Sequence, residues 1–257
     1  MQKQINLAHH STLKIGPIVD VEMIESSDWN KVGYTIIGAG SNILFSPTPP
    51  PLAKLSKVFE YIKIEDNILK VGAATSSGKL LSFVKKNDIA NFEFLPKLPG
   101  VVGGMVKMNA GLKEFEIFNH LIGVETNLGY LAKEDIDFGY RHSDIKGVIL
   151  AAHFQIEKGF STQQLEKFNA MRDNPPNDPS AGSCFANPYP LFAAKLLEEV
   201  GLKGYQIGQM GFSKKHANFL INLGGGTYED ARSLIEEAKK RVKEATGTLL
   251  HEEIISL

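Results

Sequence analysis

The sequence predicts an α+β protein in two parts. Strand-like apolar runs dominate the first 158 residues, two glycine-rich segments interrupt them, and helical and strand-like periodicities alternate in the last hundred or so residues, after a proline-rich break.

In the first part, residues 18–24, 34–37, 58–64 and 68–71 read as strands, separated by glycine, Asp66-Asn67 and the Pro49-Pro50-Pro51 loop. A helix follows: Ser77 is placed to cap it, Leu80, Leu81 and Val84 form its apolar stripe, and Asn87-Asp88 ends it. Residues 121–125 and 148–156 are further strands, the second almost continuously apolar. Composition shifts near Lys158-Gly159, which sets domain boundaries at 1–158 and 159–257. A polar stretch over 161–169 then leads into Asn174-Pro175-Pro176-Asn177-Asp178-Pro179. That run must be irregular, because each proline removes a donor and restrains the residue before it. Beyond it, residues 191–200 read as a helix stopped at Gly201, with Phe192, Leu196 and Val200 on one face. Residues 219–223 form a strand. A longer helix runs from 229 to about 245, with Thr227 and Asp230 spaced as a capping box and Ala231, Leu234, Ile235, Ala238 and Val242 facing inward. In the final segment, Leu250, Glu252 and Ile254 alternate with His251, Glu253 and Ile255, and either set suits a buried face.

Composition narrows the function classes. The 257 residues carry 28 lysines and arginines against 29 acids, a net charge of −1, so no bulk field draws nucleic acid or an anionic membrane. Any anionic ligand must be held by local groups. The single cysteine, Cys184, excludes an intramolecular disulfide and multi-cysteine metal sites, and suits a reducing cytoplasm. The histidines lack metal-ligand spacing, so no metal is expected, and no apolar run is long enough for membrane insertion.

Residues 98–111 read LPGVVGGMVKMNAG, a segment with almost no acid or base chemistry. Without a Cβ, glycine lets a ligand approach the main chain and its N–H groups, so the segment suits an anion such as a pyrophosphate. A string of tight turns would use the same residues. Upstream, Gly38-Ala39-Gly40-Ser41-Asn42 follows a short apolar run, but lacks the third glycine and following helix of a dinucleotide fingerprint. Two such loops suggest one large phosphate-bearing cofactor gripped from two sides.

Three polar clusters could carry chemistry. Gly139-Tyr140-Arg141-His142-Ser143 offers an arginine suited to hold a carboxylate and stabilise charge developing on it, or simply a surface arginine before a strand. Ala181-Gly182-Ser183-Cys184 carries a hydroxyl without a nucleophile elbow, suited either to a turn or to direct proton donation to a carbanion. Glu253 near the end of the sequence becomes functional only if its segment folds back into a cleft.

Together the residues resemble the UDP-N-acetylenolpyruvoylglucosamine reductases, flavoenzymes of bacterial cell-wall (peptidoglycan) precursor synthesis. The match runs in order through Ser11-Thr12-Leu13-Lys14-Ile15-Gly16, Gly38-Ala39-Gly40-Ser41-Asn42, Leu98-Pro99-Gly100-Val101-Val102-Gly103-Gly104 and Met108-Asn109-Ala110-Gly111. It continues through Tyr140-Arg141-His142-Ser143, Ala181-Gly182-Ser183, Gly201-Leu202-Lys203-Gly204, His216-Ala217-Asn218-Phe219 and Glu253. The resemblance implies a bilobal FAD-binding domain of the vanillyl-alcohol-oxidase type over 1–158, and a smaller α+β substrate-binding domain over 159–257 whose last segment returns to the active site. It implies non-covalent FAD, NADPH as co-substrate, UDP-N-acetylglucosamine enolpyruvate as substrate, and a cytoplasmic monomer. The cofactor would lie against Gly38, Ala39, Gly40, Ser41, Asn42, Pro99, Gly100, Val102, Gly103, Gly104, Asn109, Ala110 and Gly111. Arg141 and Glu253 would stabilise an enol form and Ser183 would donate a proton, while Tyr140, Arg172, Asn187, Lys215 and His216 would face the substrate. The chain departs from the family where Ala186 stands in place of a frequent lysine or arginine. The short passage from Arg141 to Val148 leaves no room for one subclass's tyrosine-bearing insertion, so the subclass without that loop is expected. A different flavin-dependent dehydrogenase of the same superfamily would keep the glycine loops without needing Arg141, Ser183 and Glu253 together. A silent flavin- or nucleotide-sugar-binding protein would bind without turnover.

Overall fold

The structure, a computed structural model, describes residues 1–171 and 176–257. Arg172 and the start of the proline-rich stretch, Asn174-Pro175, lie outside the described residues. The chain divides into two compact units: Met1–Lys3, Val21–Ala39 and Pro51–Asp173 form one, and Gln4–Asp20, Gly40–Pro50 and Asn174–Leu257 the other.

The first unit is built on a five-stranded antiparallel sheet, in the order Gly129–Ala132, Leu121–Thr126, Ile149–Gln155, Ile68–Gly72, Ile62–Glu65. Ala152 pairs with Val124 on one side and Val71 on the other. One face of this sheet buries Leu69, Val71, Val124, Ala152 and Phe154 under Leu80 and Val84 of the helix Ser77–Lys86 and Met105 and Val106 of the helix Val102–Lys107. Val148 and Leu150 join a separate cluster with Ile24, Ala53 and Phe59. Apolar matter on both sides of this stretch accounts for the near-continuous apolar reading of 148–156. A small parallel arrangement pairs Leu52–Leu55 with Ile18–Ile24 and with Thr35–Ile36.

Several local expectations shift. The helix after the fourth strand is capped by Ser76, whose side chain accepts from Lys79, rather than by Ser77, which occupies its first turn. Residues 58–64 are not one strand: a 3₁₀ turn over Lys57–Phe59 precedes the strand Ile62–Glu65, because the Ser56 hydroxyl accepts from Val58 N–H and starts a turn. The polar stretch after residue 160 contains a helix, Thr162–Ala170, which buries only Phe168 and is capped by Ser161. With so narrow a buried stripe, no apolar period marks it in the sequence. The glycine-rich segment likewise winds into Val102–Lys107.

The second unit holds a four-stranded antiparallel sheet, ordered Ser180–Ser183, Phe219–Asn222, Met210–Phe212, Gln206–Ile207. The helices Ala193–Glu199 and Tyr228–Thr246 supply Ala193, Leu196, Leu197, Ala231, Leu234, Ile235, Ala238 and Val242 to its core. Phe192 is a correction: it stands at the N-cap and is 55% exposed, while Leu197 takes the buried place. Ile255–Ser256 pairs in parallel with Ile43–Leu44.

The long helix has both halves of its capping box: Thr227 accepts from Asp230 N–H, and the Asp230 carboxylate accepts from Thr227 N–H. Thr227→Ala should therefore lower the stability of the second unit by about 1 kcal/mol, read as a reduced urea midpoint at unchanged m-value.

Candidate active site

The candidate residues fall into two constellations, one in each unit. In the first unit the two glycine segments approach each other. A Cβ added to Gly38 would stand 3.0 Å from Val101 Cγ2, and Lys54 Nζ donates to the Gly38 carbonyl at 3.1 Å. Burial lowers the Lys54 ammonium below its ordinary range, with nearby Lys3 adding repulsion. Gly100 takes φ +132° and accepts from Ser77 N–H, Val102 donates to Thr75, and Gly103 donates to Ala73. A Cβ on Gly103 would meet Ala73 Cβ at 3.0 Å, so this helix start lies against the strand end, whereas around Gly104 the corresponding space is open. Pro99 is exposed at the tip, and Ala39 closes the upstream segment of this unit.

Arg141 bends back onto the end of the second glycine segment. Its backbone is left-handed, φ +59°, and its Nη2 donates to the Gly111 carbonyl at 2.9 Å. Nη1 lies 3.8 Å from Glu116 Oε1, and the guanidinium covers the Tyr140 ring at 4.7 Å. The fully buried Asn109 organises this turn. Its Nδ2 donates to Glu116 Oε2 at 2.8 Å and to the Gly139 carbonyl at 3.0 Å, and its Oδ1 accepts from Phe118 N–H at 3.3 Å. Both amide hydrogens are thus committed within the protein, so Asn109 shapes the loop through its side chain. Ala110 beside it accepts from Ile117 N–H. Lys107 braces the neighbouring hairpin by donating to the Ser143 and Ile145 carbonyls, each at 2.9 Å. A Cβ on Gly111 would strike the Phe115 carbonyl at 2.4 Å, so only glycine fits there.

In the second unit, hydrogen bonds tie Glu253 to Asn42 and to Cys184, the neighbour of Ser183, while Gly40 and Ser41 are held by Thr12. Gly40, at φ +67°, accepts from Thr12 N–H, and the Thr12 hydroxyl donates to the Ser41 carbonyl at 3.4 Å. Asn42 Nδ2 donates to the Glu253 carbonyl at 2.8 Å, and the Asn42 carbonyl accepts from Ile255. Glu253 N–H donates to the Cys184 carbonyl at 2.9 Å, which sets Glu253 one residue along from half-buried Ser183. Asn218 holds the other side: its Oδ1 accepts from Phe185 N–H and its Nδ2 donates to the Phe185 carbonyl. Burial raises the Cys184 thiol far above its usual range, which keeps it from thiolate chemistry. Asn187 Oδ1 accepts from the N–H of Ala193, the first residue of the following helix, at 3.1 Å. Lys215, whose Nζ reaches Asn177 Oδ1 at 3.4 Å, lines a cavity of about 290 Å³, and His216 sits edge-on to Phe219.

Sequence reasoning did not single out Glu116, Lys107 or the cluster around Glu252. Glu252 Oε2 accepts from Arg232 Nη1 at 2.6 Å and Oε1 from Lys239 Nζ, and Arg232 also reaches Ser256 Oγ at 3.1 Å. These partners lie on the last helix, and no local pattern announces them. Asn218 did lie within a family-like motif. Among the described residues no group of three His, Cys, Asp or Glu could hold a metal, and no helix is long and apolar enough to cross a membrane.

Residues 174–257 match the family described as the UDP-N-acetylenolpyruvoylglucosamine reductase C-terminal domain. The UDP-N-acetylenolpyruvoylglucosamine reductase of Helicobacter hepaticus is 47% identical over 254 residues, covering 97% of each chain. That of Helicobacter pylori strain 26695 is 41% identical over 99% of this chain and 98% of its own. The crystal structure of UDP-N-acetylenolpyruvylglucosamine reductase from Thermus caldophilus superposes with a TM-score of 0.89 at 26% identity, covering 100% of this chain and 98% of that one. The mixed α/β fold and these relatives define an oxidoreductase enzyme. Within that class, the chain belongs to the UDP-N-acetylenolpyruvoylglucosamine reductase family.

Two outcomes follow from the hydrogen-bonded clusters. Asn109→Asp would face a carboxylate oxygen toward Glu116, 2.8 Å away, and should destabilise the first unit by about 3 kcal/mol, read by denaturant titration. For Glu252, burial works to raise the carboxyl, but the bonds from Arg232 and Lys239 outweigh it and hold it below its ordinary value of 4.5. A depressed acid contributes stability above its unfolded value and loses it as pH falls through the folded one. Stability should therefore fall on acidification below pH 4.5, and Glu252→Gln should flatten that part of a stability-versus-pH curve.

Proposed function

We propose that this protein reduces UDP-N-acetylglucosamine enolpyruvate to UDP-N-acetylmuramate in the cytoplasm, with non-covalently bound FAD and NADPH as co-substrate, for peptidoglycan precursor synthesis. The observation that most directly supports the catalytic reading is the pairing of Glu253 with Cys184, which brings two distant candidates, Ser183 and Glu253, to adjoining places. The glycine segments of the first unit suit the diphosphate of a flavin nucleotide. The open space at Gly104 leaves room for a main-chain contact that a side chain would block, whereas Gly38 lets the two segments pack against each other at Val101. In this reading the first domain, 1–158, is a vanillyl-alcohol-oxidase-type flavin domain, and 159–257 is the substrate domain.

When bound, the flavin supplies hydride chemistry that no amino-acid side chain offers. The chain's own residues would do the rest. The net change adds a hydride to the terminal vinyl carbon and a proton to the carbon bearing the carboxylate, converting the enolpyruvyl group to a lactyl group. Arg141 and Glu253 would stabilise the enol form, with charge stabilisation of this kind contributing several kcal/mol. The Ser183 hydroxyl, reluctant to release its proton, would do so only to a strongly basic carbon. Pro99, Gly100, Val102, Gly103, Asn109, Ala110 and Gly111 would shape the cofactor cradle with Gly38, Ala39, Gly40, Ser41 and Asn42. Tyr140, Asn187, Lys215 and His216 would contact the nucleotide sugar, with Arg172 as a further candidate. Five residues separate the strands His142–Ser143 and Ile149–Gln155, in keeping with the subclass lacking the tyrosine insertion.

The first test is a visible spectrum, followed by anaerobic NADPH oxidation with and without the enolpyruvyl substrate. A yellow protein whose turnover depends on that substrate is expected, and flavin without such dependence would refute the reading. Ser183→Ala should keep NADPH-driven flavin reduction and lose most oxidation of the reduced flavin by substrate. Equal survival of both half-reactions would remove Ser183 as the proton donor.

A further inference from the structure

The segment that carries Glu253 contains two adjacent acids, and successive side chains of an extended chain point to opposite sides. Leu250 and Ile254 are 5% and 3% exposed, whereas His251 and Ile255 face solvent, so Glu252 shares its side with the buried pair. On that side its carboxylate is held between Arg232 and Lys239, both of the helix Tyr228–Thr246. The main chain of Glu253 is pinned by Cys184 and Asn42, and the chain bends at Ile254, whose N–H shares the Cys184 carbonyl.

The apolar pattern alone selects this arrangement weakly. A one-residue slip would put Ile255 where Ile254 lies and Glu253 where Glu252 lies, so that among the inward positions the one change of character is His251 for Leu250, while Ile254 moves to the Glu253 place. Two cations on the helix would accept either glutamate. We propose that Glu252 is a positioning residue that occupies Arg232 and Lys239 so that they cannot capture Glu253, keeping Glu253 in register beside Ser183. The proposal rests on the catalytic reading of Glu253.

Removal of Glu252 alone leaves Arg232 and Lys239 sharing Glu236 of their own helix and still facing the segment, and these draw Glu253 over by one residue, a displacement of about 3.3 Å along the chain. Removal of the cations as well abolishes the draw, and Leu250 restores the register. A side chain that merely adds stability would give the opposite pattern, with losses accumulating from variant to variant.

Wild type, Glu252→Ala and Glu252→Ala/Arg232→Met/Lys239→Met would be compared as flavin-loaded proteins by anaerobic stopped flow, with NADPH-driven reduction and substrate-driven oxidation measured separately. Amide hydrogen exchange of Glu253 and Ile255, whose N–H groups mark the register, would be followed in the same samples. Glu252→Ala should slow the substrate half-reaction by on the order of a hundredfold, leave flavin reduction nearly unchanged and expose both amides. The triple variant should recover most of the substrate half-reaction and protect the amides again. A triple variant as impaired as the single one, or more so, overturns the proposal, as does an undisturbed substrate half-reaction in Glu252→Ala. A wild type that never oxidises with the substrate refutes the parent reading instead. The exchange pattern of the three proteins still decides the register question in that case.

Discussion

Main chain that is packed but irregular must still find hydrogen-bond partners, and asparagine side chains meet that demand throughout this protein. A carboxamide is a peptide group on a short stalk, able to donate and accept at once. Asn109 joins the end of the glycine segment to the turn before Arg141, and Asn127 joins Val148 to the Trp29 carbonyl. In the second unit, Asn218 closes both sides of Phe185, and Asn222 donates to Leu13 while accepting from Gly224 and Gly226. Asn42 ties the end of its motif to Glu253. A buried amide left unpaired costs about 1–3 kcal/mol, which makes the buried Asn109, Asn218 and Asn222 conditions on the loops they serve.

The glycines act with the asparagines. Where backbone passes against backbone, as at Gly103 over Ala73 or Gly111 over Phe115, a Cβ would hold the segments apart and the amide bridges could not form. Arg141 inherits its place from both: its guanidinium rests on the Gly111 carbonyl and beside Glu116, the same carboxylate that receives the Asn109 amide. A flat cation bound in this way loses little further freedom when it meets a planar anion, which suits it to a carboxylate ligand.

Charge is used sparingly and at defined places. With a net charge of −1, the protein depends on short, paired interactions rather than on a field. The Arg232–Glu252–Lys239 cluster shows why pairing matters: an acid on the inward side of a strand is tolerable only when cations replace its lost hydration.

The sequence by itself determined whatever depends on neighbours in the chain. The last helix, its capping box and its five inward residues follow from a 3.6-residue period and a three-residue spacing, and all appear in the structure. Strand Ile18–Ile24 coincides with its sequence reading, and Ile68–Gly72 and Leu121–Thr126 extend theirs by one residue. The glycine runs and polar motifs were equally visible, since they stand out without any fold. Tertiary structure alone decided the partners. Glu116 against Asn109, Asn42 against Glu253, and Glu252 between two cations unite residues that no period links. Helix Thr162–Ala170 was hidden because one buried phenylalanine makes no stripe. The final segment alternated ambiguously until Leu250 and Ile254 found the core and Glu252 found Arg232. Periodicity reports the shape a segment can take, whereas register and partnership are settled by the surface it meets.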